Sequence, residues 1–135
     1  MTKSSSTTER IAIAGVPSSG KTTLAEALSP IAWHTDDLID LGWSEASEHA
    51  SYWFDDTAAT IIEGVSVPRA LRKWLKRNPT GKPADRVIFL CGPHTPLTKG
   101  QLSMAKGCWT VWQEIRPELV ERGVEIEERG QLPWS

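Results

Sequence analysis

The residues best suited to chemistry lie in GVPSSGKT, residues 15–22, which matches the spacing G-x-x-x-x-G-K-[ST] in full. Gly15 and Gly20 let a backbone curl with its N–H groups pointing inward, which makes a cradle for an anion. Val16, Pro17, Ser18 and Ser19 form the body of that cradle, and Thr23 carries it into a helix whose N-terminus adds partial positive charge. Lys21 can neutralise β- and γ-phosphate oxygens, and the Thr22 hydroxyl can serve Mg²⁺. The chemistry indicated is binding of a nucleoside triphosphate such as ATP together with Mg²⁺.

A second constellation could direct where the phosphate goes. In HTDDLID, Asp36 and Asp37 fall just past a short apolar run, at the sheet edge where α/β folds bind ligands. Transfer to a hydroxyl needs a carboxylate that orients or deprotonates the acceptor, and groups that hold Mg²⁺. Asp36 and Asp37 are candidates for the first task and Asp36 also for the second, while one of the two could instead cap a short helical turn. Glu63 closes the apolar run ATIIE before Gly64, a place from which an acid can hold metal or activate a nucleophile. His34 and His94 lie near strand ends, but their spacing assigns them no role.

Charge is uneven although the net value is only -2. Residues 69–82 hold six basic side chains, among them Arg69, Arg72 and Lys76, and no acid, whereas residues 36–56 hold seven acids and no Lys or Arg. The basic segment could track a polyanion such as DNA or form a solvated face. Of the seven tryptophans, Trp33, Trp43 and Trp53 cluster around the acidic turn, where an indole could stack on a base or belong to the core. Trp109 and Trp112, at helical spacing, read as core.

The frame that must position these groups alternates strands with helices. Strand-like runs fall at residues 10–15, 30–35, 59–64, 86–92 and 124–128, and helical ones at 21–28, 44–56 and 68–77. A long helical run follows Pro96, and Pro117 should break or kink it. This order predicts an α/β domain of three layers with a mainly parallel sheet. At 135 residues the chain suits one domain, read as a polar tail at residues 1–8 and a folded unit at 9–135. The start lacks the apolar core of a signal peptide, and no apolar run approaches the roughly 18 residues of a membrane span. A soluble, cytoplasmic protein with no membrane partner is the expectation. Cys91 and Cys108 lack metal or redox spacing and read as buried small hydrophobes.

Together, GVPSSGKTTLAEAL, the HTDD turn, the IIEGVSVPRAL segment and the small size resemble the small P-loop kinases of the nucleotide, shikimate and gluconate kinase kind. The resemblance spans residues 10–128. It implies a P-loop NTPase fold with parallel strands in the order 2-3-1-4-5, and ATP-dependent transfer to an alcohol. It also implies that Asp36 and Asp37 bind or activate the acceptor and that Arg69 grips it. Such kinases close an arginine-rich lid after the fourth strand. Here the corresponding residues 93–107 offer Lys99 and Lys106, with Arg116 further on, and the loop bearing Trp134 falls where the family binds the purine. The chain is also similar in style to bacteriophage kinases acting on hydroxymethylated pyrimidines in DNA. That makes hydroxymethyluracil in phage DNA the favoured acceptor, reached through Arg69, Arg72 and Lys76. A small-metabolite or free nucleoside or nucleotide kinase is one alternative. Another is a nucleotide-binding NTPase or regulatory module in which Glu63 orients water.

Overall fold

Ile11–Gly15 forms strand β1, buried along its whole length, as a strand covered on both faces must be. It sits at the centre of a five-stranded sheet with β2 (Trp33–His34), β3 (Ile61–Glu63), β4 (Arg86–Leu90) and β5 (Glu125–Arg129). The strand order is β2-β3-β1-β4-β5 and every pairing is parallel, so the α/β class expected from the sequence and the order implied by the resemblance are both present. Helices α1 (Lys21–Leu28), α2 (Trp43–Trp53), α3 (Val67–Arg77) and α4 (Lys99–Glu121) fill the connections, and a 3₁₀ segment, Thr35–Leu41, joins β2 to α2. The structure is a computed structural model that describes residues 9–29 and 31–134, so the tail expected at residues 1–8 lies outside the described residues.

The core divides by sheet face. Ala12, Ala14, Ile62, Val87 and Phe89 pack with Ala50, Leu71, Trp74, Cys108 and Trp112 from α2, α3 and α4. On the other face Ile11, Ile13, Ile61, Ile88 and Leu90 meet Leu24 and Ala25 of α1. Beside α1 that second face ends in charge: Glu125 and Glu127 of β5 lie across from Arg86, which also reaches Glu9. Charged side chains blunt this face of the edge strand, whose opposite face packs against α4. Trp112, fully buried, lies flat on Phe89 with ring centroids 5.3 Å apart, and its indole N–H donates to Glu128 Oε2 at 2.7 Å. Truncating such a side chain to alanine costs about 3–5 kcal/mol.

Two expectations change. Pro117 does not end the helix, because α4 continues through it to Glu121. The proline removes one backbone donor, but Pro117 and Gln113, whose carbonyl loses that partner, both face solvent, while Ile115 and Leu119 keep the helix seated on the core. Strand β2 is also shorter than the run at 30–35, since the backbone turns into the 3₁₀ segment at Thr35. Among the described residues no helix is long and apolar enough to cross a membrane.

Candidate functional site

The loop between β1 and α1 is shaped by residues that tolerate unusual backbone or no side chain. A Cβ on Gly15 would lie 2.7 Å from the Leu90 carbonyl oxygen and 2.9 Å from Ser19 Oγ, so only glycine fits. Ser18 (φ 61°) and Gly20 (φ 88°) take up left-handed conformations that curl the chain ahead of the helix. Gly20 is the N-cap of α1 and has no side chain with which to occupy the first-turn N–H groups, which suits them to an anion. Lys21 is buried, and its Nζ donates to the Val16 carbonyl at 2.8 Å. Burial holds the Lys21 ammonium below its ordinary value of 10.5, against the opposite pull of Glu63, Cys108 and Asp36. Cys108 lies under the loop, its thiol directed at the carbonyls of Gly15 and Val65 and pushed up to about 11 by burial. Cys91 is buried too, as expected of both cysteines.

Glu63 stands at the centre of a buried polar network. It is 1% exposed, and its Oε2 accepts from the Thr22 hydroxyl at 3.0 Å. The same oxygen lies 2.5 Å from His34 Nδ1, and because a carboxylate only accepts, the imidazole N–H is the donor. The hydrogen bond to Glu63 raises the His34 pKa above 6.5; burial opposes this, and the charges of Glu63, Asp37 and Glu26 add to it. Glu63 Oε1 is buried without a hydrogen-bond partner among the described residues. The next residue, Gly64, lets β3 meet the 3₁₀ segment, since a Cβ there would fall 1.7 Å from Thr35 Oγ1.

These groups fit a hard divalent cation. No three His, Cys, Asp or Glu side chains converge among the described residues, but Mg²⁺ keeps several waters and commonly takes one or two carboxylates with substrate phosphates. The Thr22 hydroxyl oxygen and Glu63 Oε1 meet that demand. A buried carboxylate oxygen left without a partner is costly, and a cation or its water would relieve it.

Two clefts open on opposite sides of the loop. One, of about 600 Å³, is lined by residues 17–23 together with Asp36, Trp43, Val65 and Met104. The other, of about 570 Å³, is lined by Ser19, Gly20, Thr23, Leu24 and Ala27 on one side and by Leu90, Gly92, His94, Arg129 and Gly130 on the other. Of the two aspartates at the turn, Asp36 alone borders a cleft; Asp37 lies exposed within the 3₁₀ segment. Arg69 lines a side bay of about 420 Å³ with Trp43, Gly100, Ser103 and Met104, and makes no hydrogen bond or ion pair among the described residues.

Three other basic residues of α3 are held by acids. Arg72 pairs with Glu114 at 3.1 Å, Lys73 with Glu48 at 3.6 Å and Arg77 with Asp55 at 3.5 Å. Neither Arg72 nor the exposed Lys76 borders the clefts. Arg116 reaches Glu128 on β5 at 2.6 Å rather than the loop. Lys99 to Gly107, expected in a lid, are the opening turns of α4, started by a capping box between Thr98 and Gln101. Trp53 is held edge-to-face against Trp33, so of the three clustered indoles it is Trp43, 43% exposed, that opens on a cleft. Trp134 lies beside Lys106 and not in the cleft at Arg129.

Two histidines to which spacing assigns no role lie at the loop and beside Glu63. His94 donates its backbone N–H to the Ser18 carbonyl at 2.6 Å and lays its ring against Gly20. The usable signal was its position just after the buried fourth strand, on the same sheet edge as the loop. His34 could have been found from strand register, because it pairs with Glu63 across β2 and β3. Neither known family models nor curated proteins match this chain.

Proposed function

We propose that the chain is a P-loop kinase that moves the γ-phosphate of ATP, bound with Mg²⁺, to a hydroxyl. The observation that carries this reading is that the loop from Ser19 to Thr23 borders both clefts while Asp36 lines only one of them. In-line transfer needs attacking and leaving oxygens on opposite sides of the phosphorus. The cleft at Arg129 and Gly130 suits the nucleoside half, and the cleft at Asp36 suits the acceptor. Asp36 takes the acceptor proton as the new O–P bond forms. The bond from the γ-phosphorus to the bridging oxygen breaks, and its electron pair leaves with ADP. Lys21 and the first-turn N–H groups of α1 face the charge that develops there. When bound, Mg²⁺ supplies further neutralisation of phosphate charge, and Thr22 and Glu63 are the residues that would hold it.

For the acceptor we infer a nucleotide-like alcohol. Trp43 and Met104 offer surfaces for a flat ring, and Arg69 offers a planar cation for an anionic group. Hydroxymethyluracil has this chemistry, both as a free nucleotide and within phage DNA. The pairing of Arg72, Lys73 and Arg77 with acids leaves α3 less charge for a DNA backbone, which favours a second reading, a kinase of free nucleotides or other small anionic alcohols. Labelled γ-phosphate, offered in parallel to both forms of hydroxymethyluracil and to other small alcohols, separates the two. Label on modified DNA alone supports the DNA kinase, and label on a small molecule supports the second reading.

A further inference from the structure

We propose that His34 is a positioning residue for the divalent-cation pole of this site, acting through Glu63. The inference rests on the kinase reading above and concerns a residue that the phosphate-loop pattern does not include.

His34 and Glu63 are register partners on adjacent parallel strands, so their side chains leave the same face of the sheet. The fixed spacing of the strands, and not a flexible reach, brings Nδ1 to 2.5 Å from Oε2. Thr22 approaches the same oxygen from α1 at 3.0 Å. Two donors from two elements therefore hold one carboxylate oxygen and fix the plane of the group. The other oxygen, Oε1, remains buried and without a partner among the described residues. With Thr22 alone, the carboxylate could rotate about its terminal torsion, which is intrinsically broad. His34 removes that freedom and keeps Oε1 available to a cation or its water. Around the imidazole the charged neighbours are Glu63, Glu26 of α1 at 3.9 Å from Nε2, and Asp37 of the 3₁₀ segment.

The test is Mn²⁺ binding by electron paramagnetic resonance, in the presence of a non-hydrolysable ATP analogue, on the full chain. Analogue binding in excess chelator is measured alongside. For His34→Ala we expect Mn²⁺ affinity to fall about 10- to 100-fold, the loss typical when a group that orients a metal ligand is removed. Affinity for metal-free analogue should stay within about 2-fold. His34→Asn, whose amide nitrogen takes the place of Nδ1, should recover most of the loss. If His34→Ala does not fold, His34→Leu, which keeps bulk but has no donor, decides in its place. Wild-type Mn²⁺ affinity in a folded donor-free variant overturns the proposal and leaves the kinase reading standing. Absence of metal-linked nucleotide binding in the wild-type protein overturns both.

Discussion

The Thr22 hydroxyl donates to Glu63 across 3.0 Å and so ties the first turn of α1 to the end of β3. A residue recognised from a loop pattern and an acid 41 positions away thus form one unit. Thr22→Val should remove both this bond and the hydroxyl oxygen offered to metal, while Thr22→Ser keeps both. We expect Thr22→Val to lower Mg²⁺-dependent turnover at least about 100-fold, a loss of the size seen when a group supporting transition-state charge is removed. Thr22→Ser should stay near wild type. Steady-state rates across a Mg²⁺ titration check this, and equal rates for both variants would contradict it.

Arg69 lines the bay that shares Trp43 and Met104 with the Asp36 cleft, whereas Arg72 reaches across to Glu114. Arg69→Ala should therefore raise the acceptor KM by about 10-fold or more, the worth of one charge-assisted contact. The pair Arg72→Ala with Lys76→Ala should leave it within about 2-fold, because exposed ion pairs contribute little. A steep salt dependence of acceptor binding, flattened by the Arg72 and Lys76 pair, would restore α3 as a polyanion surface.

Local physics was legible where one cause dominates. β1, α1 and β4 were marked by apolar runs and by a loop motif with strict residue requirements, and the sheet order followed from the resemblance. What escaped depends on partners distant in sequence. Residues 69–82 look like a free positive stripe until Glu48, Asp55 and Glu114 come to meet them from α2, from the loop after it, and from α4. Arg116 resembles a spare lid arginine until β5 supplies Glu128. Pro117 carries a local rule against helix, but its cost falls on the solvent side, where water can pair the freed carbonyl. At the site, His34 reads from the sequence only as a strand-end histidine, because strand register, not spacing along the chain, puts it on Glu63.

Gly64 joins the acid of β3 to the 3₁₀ segment, with φ at 146° and Thr35 Oγ1 where a Cβ would be. Gly64→Ala should destabilise the fold by at least about 2 kcal/mol, combining backbone strain with overpacking. Urea unfolding monitored by tryptophan fluorescence checks this, and an unchanged midpoint would contradict it.

Glu128 links the buried Trp112 to Arg116. Burial pushes its carboxyl upward, but the hydrogen bonds from Trp112 and Arg116 outweigh this and hold it below 4.5. The folded protein thus binds this proton less readily than the unfolded chain does. The resulting stability is present above the unfolded value and is lost as pH falls through the folded one. The stability gap between wild type and Glu128→Gln should therefore be widest near about pH 7 and narrow near about pH 3. Denaturant unfolding at both pH values checks the trend, and a constant gap would contradict it.

The most direct measurement follows labelled γ-phosphate from ATP in wild type, Lys21→Ala and Asp36→Asn, with and without hydroxyl acceptors. The account predicts acceptor-dependent transfer in wild type, transfer lowered at least about 100-fold in Lys21→Ala, and ATP binding retained in Asp36→Asn with transfer lowered by about 100- to 10,000-fold. Release of free phosphate at one rate in wild type and Asp36→Asn, whatever the acceptor, would contradict it and leave an NTPase.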